Sequence, residues 1–449
     1  MAKAAGRGRC FSRENDKDDG MRPHRRVSAP ESPSRQADRI AFLTEGTARH
    51  GDFWRFASHV YVAASAELAK EAYRRTGKDF KVPDGMFRLP DQVRRALPAG
   101  AFLPNSIAPA RSHFGHSAVS RSVGVLATEA ARTADLWPTD QAVPVLPALR
   151  RMFSRMGAHY CFGVDAAPLM HVEAALARAR ESAPPRTLYL PTPTRRRLQR
   201  RLGALAGRIG ALMEERLRQG RTAEPDLLGV MIESSLRHGT PPGVNITFPL
   251  AVILLASQEQ PTRAGGWHLL GLARHPDLAD RIADEAALLP DDPRKITAAD
   301  LARLTHADAF VRETLRHYPP IWLSTRLATT STRVGEHRLD SGDRLMLSPY
   351  LIHHDERYHA DPERFDPDRW LCPDAASGGD AAATGGYVPF GAGPRLCPGA
   401  ALAGVELTLL VALTARALRL SCPSPEPFRL TTAGALTPSD LRLVFSHRA

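Results

Sequence analysis

The chain has 449 residues, 43% of them hydrophobic, enough to bury a large core and, from length alone, to suggest two or three domains. A formal charge of +12 invites a nucleic-acid reading, but the arginines are scattered, and the densest cluster, TRRRLQRRLG at Thr194 to Gly203, begins a helical segment with few aromatics to stack on bases. No nucleic-acid partner is therefore expected, and a basic patch for an acidic protein partner is the better reading. The five cysteines, Cys10, Cys161, Cys372, Cys397 and Cys422, never form a CxxC pair, which argues against a disulfide framework or a zinc site and for a reducing cytoplasm.

Residues 1–37 are basic and polar without an apolar core, so they are read as a disordered tail, neither signal peptide nor membrane anchor, and Met21 is as good a start as Met1. FWRFASHVYVAAS, from Phe53, alternates like two short strands, and AELAKEAYRRTG reads as a helix stopped by Gly77. Helical patterns then dominate: SAVSRSVGVLATEAARTADLW, LGALAGRIGALMEERLRQG, FPLAVILLASQEQPTRAGGWHLLGLARHP, and AADLARLTHADAFVRETLRHYPP before two prolines. Strand signals return in TRLATTSTRVGEHRLDSGDRLMLSP, broken by Gly and Asp turns, and a Gly-, Asp- and Pro-rich loop comes next. The apolar run from Ala400 is interrupted by Glu406 and Arg416, which predicts a buried helix rather than a membrane span. No linker divides residues 38–449, so a single mainly α domain with a small β-rich subregion is expected there.

FGAGPRLCPG, Phe390 to Gly399, sets one cysteine behind two glycines and an arginine. Gly391 and Gly393 allow a tight turn and a close approach to a flat partner, and Pro398 suits the first turn of the next helix. A cysteine at a helix N-terminus is placed to stay ionised and bind a metal. The stretch resembles the haem-ligand loop Phe-Gly-x-Gly-x-Arg-x-Cys-x-Gly of the cytochrome P450 family, with Phe390, Gly391, Gly393, Arg395, Cys397 and Gly399 all matching. The resemblance implies the cytochrome P450 fold and haem b, with Cys397 as the iron ligand, Arg395 on a propionate and Phe390 packed against the thiolate. A thiolate ligand pushes electron density onto iron.

Glu313 and Arg316 in ETLR form an i,i+3 pair that on most helices is only a weak surface contact. Followed by HYPP and PERFDPDRW, the pair resembles the family's structural lock, with Arg364 of PERF as the second arginine around Glu313. By the same resemblance Arg326 in STRLATT and His116 in FGHSAVSR are propionate partners, although Ser120 stands where the family's C-helix arginine would be and Arg121 comes after it. His353 is placed either near the haem or in packing under the loop.

The long helix resembles the family's oxygen-binding helix, usually Ala/Gly-Gly-x-Asp/Glu-Thr-Thr, with Ala256, Ser257, Gln258, Glu259, Gln260 and Pro261 on those six places. Glu259 keeps the acid, whereas Gln260 replaces a threonine. Oxygen insertion needs protons delivered along a polar relay, and an amide cannot pass a proton on as a hydroxyl does. Pro261 lacks the N–H for the Ser257 carbonyl, so a kink is expected. The implied activity is monooxygenation of a small hydrophobic or natural-product substrate by a monomer in the cytoplasm. Electrons would come from a ferredoxin or flavodoxin-type donor, and NAD(P)H would act only through it. Peroxide-driven oxidation, oxidative coupling or rearrangement, and haem binding without turnover, are the alternatives.

Overall fold

The computed structural model of the protein describes residues 38–83, 111, 113–169, 193–371, 386–432 and 434–448. The tail expected over residues 1–37 lies outside them. After α1, Asp38–His50, strands β1, Phe53–Ala57, and β2, Val60–Ala63, pair antiparallel as the alternation suggests. In α2, Ala66–Arg74, the Ser65 hydroxyl accepts the Leu68 N–H, and Ala66, Ala69, Ala72 and Tyr73 form the buried face. Strand β3 spans Phe80–Lys81.

The single helix expected from Ser117 is two, α3, His116–Ser120, and α4, Val123–Asp135, because the chain turns at Arg121 and Ser122. Then come β4, Ala142–Pro144, α5, Leu146–Phe162, α6, Pro193–Arg218, and α7, Leu227–Arg237. Helix α8, Val244–Arg274, is the axis of the molecule and stays α-helical through Pro249 and Pro261. Small residues let its neighbours close on it: a Cβ on Gly265 would lie 3.0 Å from Leu410 and from Phe153, and one on Gly271 2.8 Å from Phe310.

Helix α9, Pro276–Ala286, and the short α10, Ala298–Leu301, started by a Thr297–Asp300 capping box, lead to α11, Thr305–His317. Strands β5, Ser324–Ala328, β6, Thr332–Val334, β7, His337–Leu339, and β8, Arg344–Leu347, precede α12, Pro349–His353. A five-stranded sheet has the order β1-β2-β8-β5-β3, with only the β2–β8 pairing parallel. Helix α13, Ala400–Ala417, is apolar on all sides because α4, α8, α9 and α11 all pack on it. By length and composition it could cross a bilayer, yet 61% of it is buried in the protein. The chain closes with β9, Leu418–Ser421, β10, Arg429–Thr431, β11, Thr437–Ser439, and β12, Arg442–His447.

Candidate active site

Between α8 and the start of α13 lies a cavity of about 400 Å³, with Cys397 in its wall. The loop that presents this cysteine is held by its own backbone. The Gly391 N–H donates to the Val388 carbonyl and the Cys397 N–H to the Phe390 carbonyl, both at 3.0 Å. Gly391 and Gly393 have φ of +72° and +68°, conformations that side chains disfavour. A Cβ on Gly393 would also sit 2.6 Å from the Tyr73 carbonyl oxygen, so glycine there lets the end of α2 press on the loop.

Cys397 keeps surface open to the cavity but is enclosed by protein elsewhere, and that burial raises its thiol above the ordinary value, opposed only by the Gly399 N–H. Burial therefore opposes the ionised form that the dipole argument favours, and a further positive charge would tip the balance toward it. A metal cation could do so, because a coordinated thiol is deprotonated outright.

Arg326 and Arg395 line the same cavity. Arg326 is only 6% exposed and bonds to the Thr76 hydroxyl at 2.9 Å and the Thr325 carbonyl at 3.1 Å, with its guanidinium 4.9 Å above the Tyr73 ring. Burial lowers its pKa and repulsion from Arg395 adds to the effect, while no carboxylate of a described residue pairs with it. A buried cation with only neutral partners is a place for an anion. Cβ atoms on Gly391 or Gly399, both in the wall, would meet no protein atom within 4 Å. A slot between two helices with a thiol in one wall and two guanidiniums beside it fits a porphyrin bearing carboxylates. Phe390 also lines this slot.

His116 is exposed and lines a second cavity of about 870 Å³, between α3, the first turns of α11 and the outer face of α13, rather than the one holding Cys397. Phe114 reaches the Cys397 cavity instead, and Tyr160 donates to the carbonyl of His113. Arg111, which the sequence did not single out, touches the loop with a 3.4 Å bond to the Pro394 carbonyl.

On α8, Ile253, Ser257, Gln260, Pro261 and Ala264 face the cavity. Glu259 turns away to Arg263, 3.4 Å distant, so the two candidate catalytic residues of this helix are not brought together. Buried Oε1 of Gln260 and Oγ1 of Thr262 have no hydrogen-bond partner. Glu406 of α13 also reaches the wall. It is 1% exposed, its Oε1 is unpartnered, and burial pushes its carboxyl well above the ordinary value.

Glu313 and Arg316 are fully buried and joined by two bonds, 2.8 and 2.9 Å. Burial alone would raise the Glu313 carboxyl, but Arg316, the Asp366 N–H and Arg369 outweigh it and hold the carboxyl below its usual value. The second guanidinium is that of Arg369, at 3.2 Å, and not that of Arg364. Arg364 is exposed and contributes its carbonyl to Arg316. The chain has two Pro-x-Arg-aromatic tetrapeptides, PERF and PDRW, and only the second turns its arginine inward, beside Trp370, whose indole N–H donates to Glu313 at 2.9 Å. His353 packs under the cysteine loop and is not in the cavity wall.

The family model for cytochrome P450 matches residues 176–444. The chain is 31% identical over 307 residues to cyclooctat-9-en-7-ol 5-monooxygenase of Streptomyces melanosporofaciens, covering 65% of this chain and 63% of that protein. It is 31% identical over 225 residues to cytochrome P450 monooxygenase sphH of Aspergillus fumigatus, covering 49% of this chain and 41% of that protein. With pentalenene oxygenase of Streptomyces avermitilis it shares 29% over 348 residues, 75% and 76% of the two chains. The alignments thus span less than two thirds of the first two relatives. The chain belongs to the cytochrome P450 family. Its cofactor is accordingly haem b with cysteine thiolate ligation to iron.

Proposed function

We propose that the protein is a haem-thiolate monooxygenase that inserts one oxygen atom of O2 into a small hydrophobic substrate. The observation that carries this reading is Cys397 in the wall of a slot with a buried, carboxylate-free Arg326 beside it. Cys397 Sγ would hold the iron, and Arg326 and Arg395 the propionates. Bound haem supplies dioxygen activation. The apolar side chains of Ile253, Ala256, Ala264 and Phe114 keep bulk water from the substrate, and the Gln260 amide offers a hydrogen bond there without a hydroxyl's ability to pass a proton on. The names of two relatives point to cyclic terpenoid skeletons, and a terpenoid or similar natural product is the proposed substrate class. A ferredoxin or flavodoxin-type protein would deliver electrons to a monomeric enzyme in the cytoplasm.

The unpartnered Gln260 Oε1 and the adjoining Pro261 favour a second reading, in which peroxide, rather than O2 and two electrons, is the oxidant. Turnover of a terpenoid panel with NADPH, ferredoxin reductase and ferredoxin, against hydrogen peroxide alone, separates the two. The first reading expects product only with the electron chain. Product only with peroxide supports the second, and none with either, alongside a thiolate spectrum, supports a haem protein without turnover.

A further inference from the structure

His353 ends α12 and is completely buried, yet it lies outside the cavity that holds Cys397. Both ring nitrogens are engaged. The Val388 N–H donates to Nε2 at 2.9 Å, which leaves the ring proton on Nδ1, and Nδ1–H donates to the Arg316 carbonyl at 3.0 Å. The neighbouring His359 bonds through Nε2 to the Gly386 carbonyl at 2.8 Å, so the strand of chain entering the cysteine loop is gripped at two points.

Beyond Val388 the chain closes a short backbone circuit. The Val388 carbonyl accepts the Gly391 N–H, and the Phe390 carbonyl accepts the Cys397 N–H. Behind His353 stands the buried network of Glu313, Arg316 and Arg369, in which Arg316 also donates to the His353 carbonyl at 2.8 Å. Arg316 and His353 therefore bond each other in both directions, and one imidazole joins the buried Glu313–Arg316–Arg369 cluster to the loop carrying the ligand sulfur.

We infer that His353 is a positioning residue for the Cys397 thiolate: by bridging the Arg316 carbonyl and the Val388 amide it fixes where the cysteine loop starts and so where Sγ stands. This rests on the haem-thiolate reading of Cys397, but the bridge itself does not need haem. Two substitutions split its halves. Asparagine sets an amide nitrogen near the place of Nδ1, keeping the bond to Arg316 and losing Val388. Glutamine sets a carbonyl oxygen near the place of Nε2, keeping Val388 and losing Arg316.

The test compares His353→Asn and His353→Gln by hydrogen exchange at the Val388 amide in hemin-free protein and by the ferrous–CO spectrum after hemin loading. With Asn, Val388 should exchange about tenfold faster than in the wild type, and a sizeable fraction of the CO adduct should lose thiolate character. With Gln, Val388 should stay protected and the adduct stay thiolate-type, whatever the variant loses in thermal stability. Equal behaviour of the two variants in both readouts would mean that His353 is packing only and would overturn the proposal. Should the Asn variant not fold, a wild-type Val388 amide exchanging as fast as an exposed loop amide overturns it equally. A wild-type adduct without thiolate character would count against the haem-thiolate reading, while the exchange arm still decides the bridge.

Discussion

The supports behind the two sides of the Cys397 cavity are built on opposite principles. On the cysteine side, the Glu313 carboxylate receives Arg316, Arg369, Trp370 and the Asp366 amide, and Arg316 in turn binds the carbonyls of His353, Pro362 and Arg364. On the α8 side, Gln260 Oε1 is buried without a partner, and Pro261 leaves the Ser257 carbonyl without its helical donor. The first centres on a fully bonded carboxylate, although Glu406 Oε1 and His359 Nδ1 on that side are unpartnered. The second carries polar capacity that the protein does not use itself, as expected where a ligand or a proton must be met.

Acid should break the cysteine side first. Burial lowers His353 well below 6.5, His354 to about 3 and His359 to about 4, and it lowers His317 as well. Their folded-state values lie under the unfolded one, so the stability they contribute is complete above pH 6.5 and is lost as pH falls toward 4 and 3. Glu406 works in the opposite sense, because its neutral folded form is favoured as pH drops, but it is one group against four. Urea unfolding at pH 7, 6, 5 and 4 should give a steadily falling midpoint, and a flat profile to pH 4 would contradict the role given to these histidines.

Removing the centre of that network comes next in size. Glu313→Ala leaves Arg316 and Arg369 buried without their carboxylate and should cost about 3–5 kcal/mol by denaturant unfolding, more than any surface substitution. The α8 wall predicts the reverse sign. Pro261→Ala returns an N–H to the Ser257 carbonyl and should raise stability by up to about 3 kcal/mol, read as a higher unfolding midpoint. An unchanged or lower midpoint would show that the surrounding packing already compensates for the proline. The smallest effect is kinetic. Gln260→Thr should raise product formed per NADPH consumed by no more than about tenfold, below the full range of general acid–base catalysis. Unchanged coupling would show that glutamine is no handicap.

The cysteine loop was legible in the sequence because its signal is local: two glycines at positive φ, an arginine and a cysteine at fixed spacing dictate the turn with little help from the rest of the chain. The Glu313–Arg316 pair was legible only through its place before HYPP and PERFDPDRW, since the i,i+3 spacing alone is common. Arg369 was not, since PERF and PDRW read alike and only tertiary packing decides which arginine turns inward. Helical rotation explains Glu259 and Gln260. Ser257, Gln260, Pro261 and Ala264 recur at intervals of three and four and share the cavity face, while Glu259 is rotated off it toward Arg263. His116 was matched to a motif whose arginine is displaced by one position, and it lines the second cavity instead. Glu406, seen in the sequence only as an interruption of an apolar run, is a buried carboxyl in the cavity wall.

The ferrous–CO spectrum of hemin-loaded wild-type protein, taken beside Cys397→Ala, is the most direct test. A thiolate-type adduct in the wild type that disappears in the variant is the result expected. A histidine-like adduct in the wild type, or a thiolate-type one that survives in Cys397→Ala, would contradict the assignment of Cys397 as the sulfur that holds the iron.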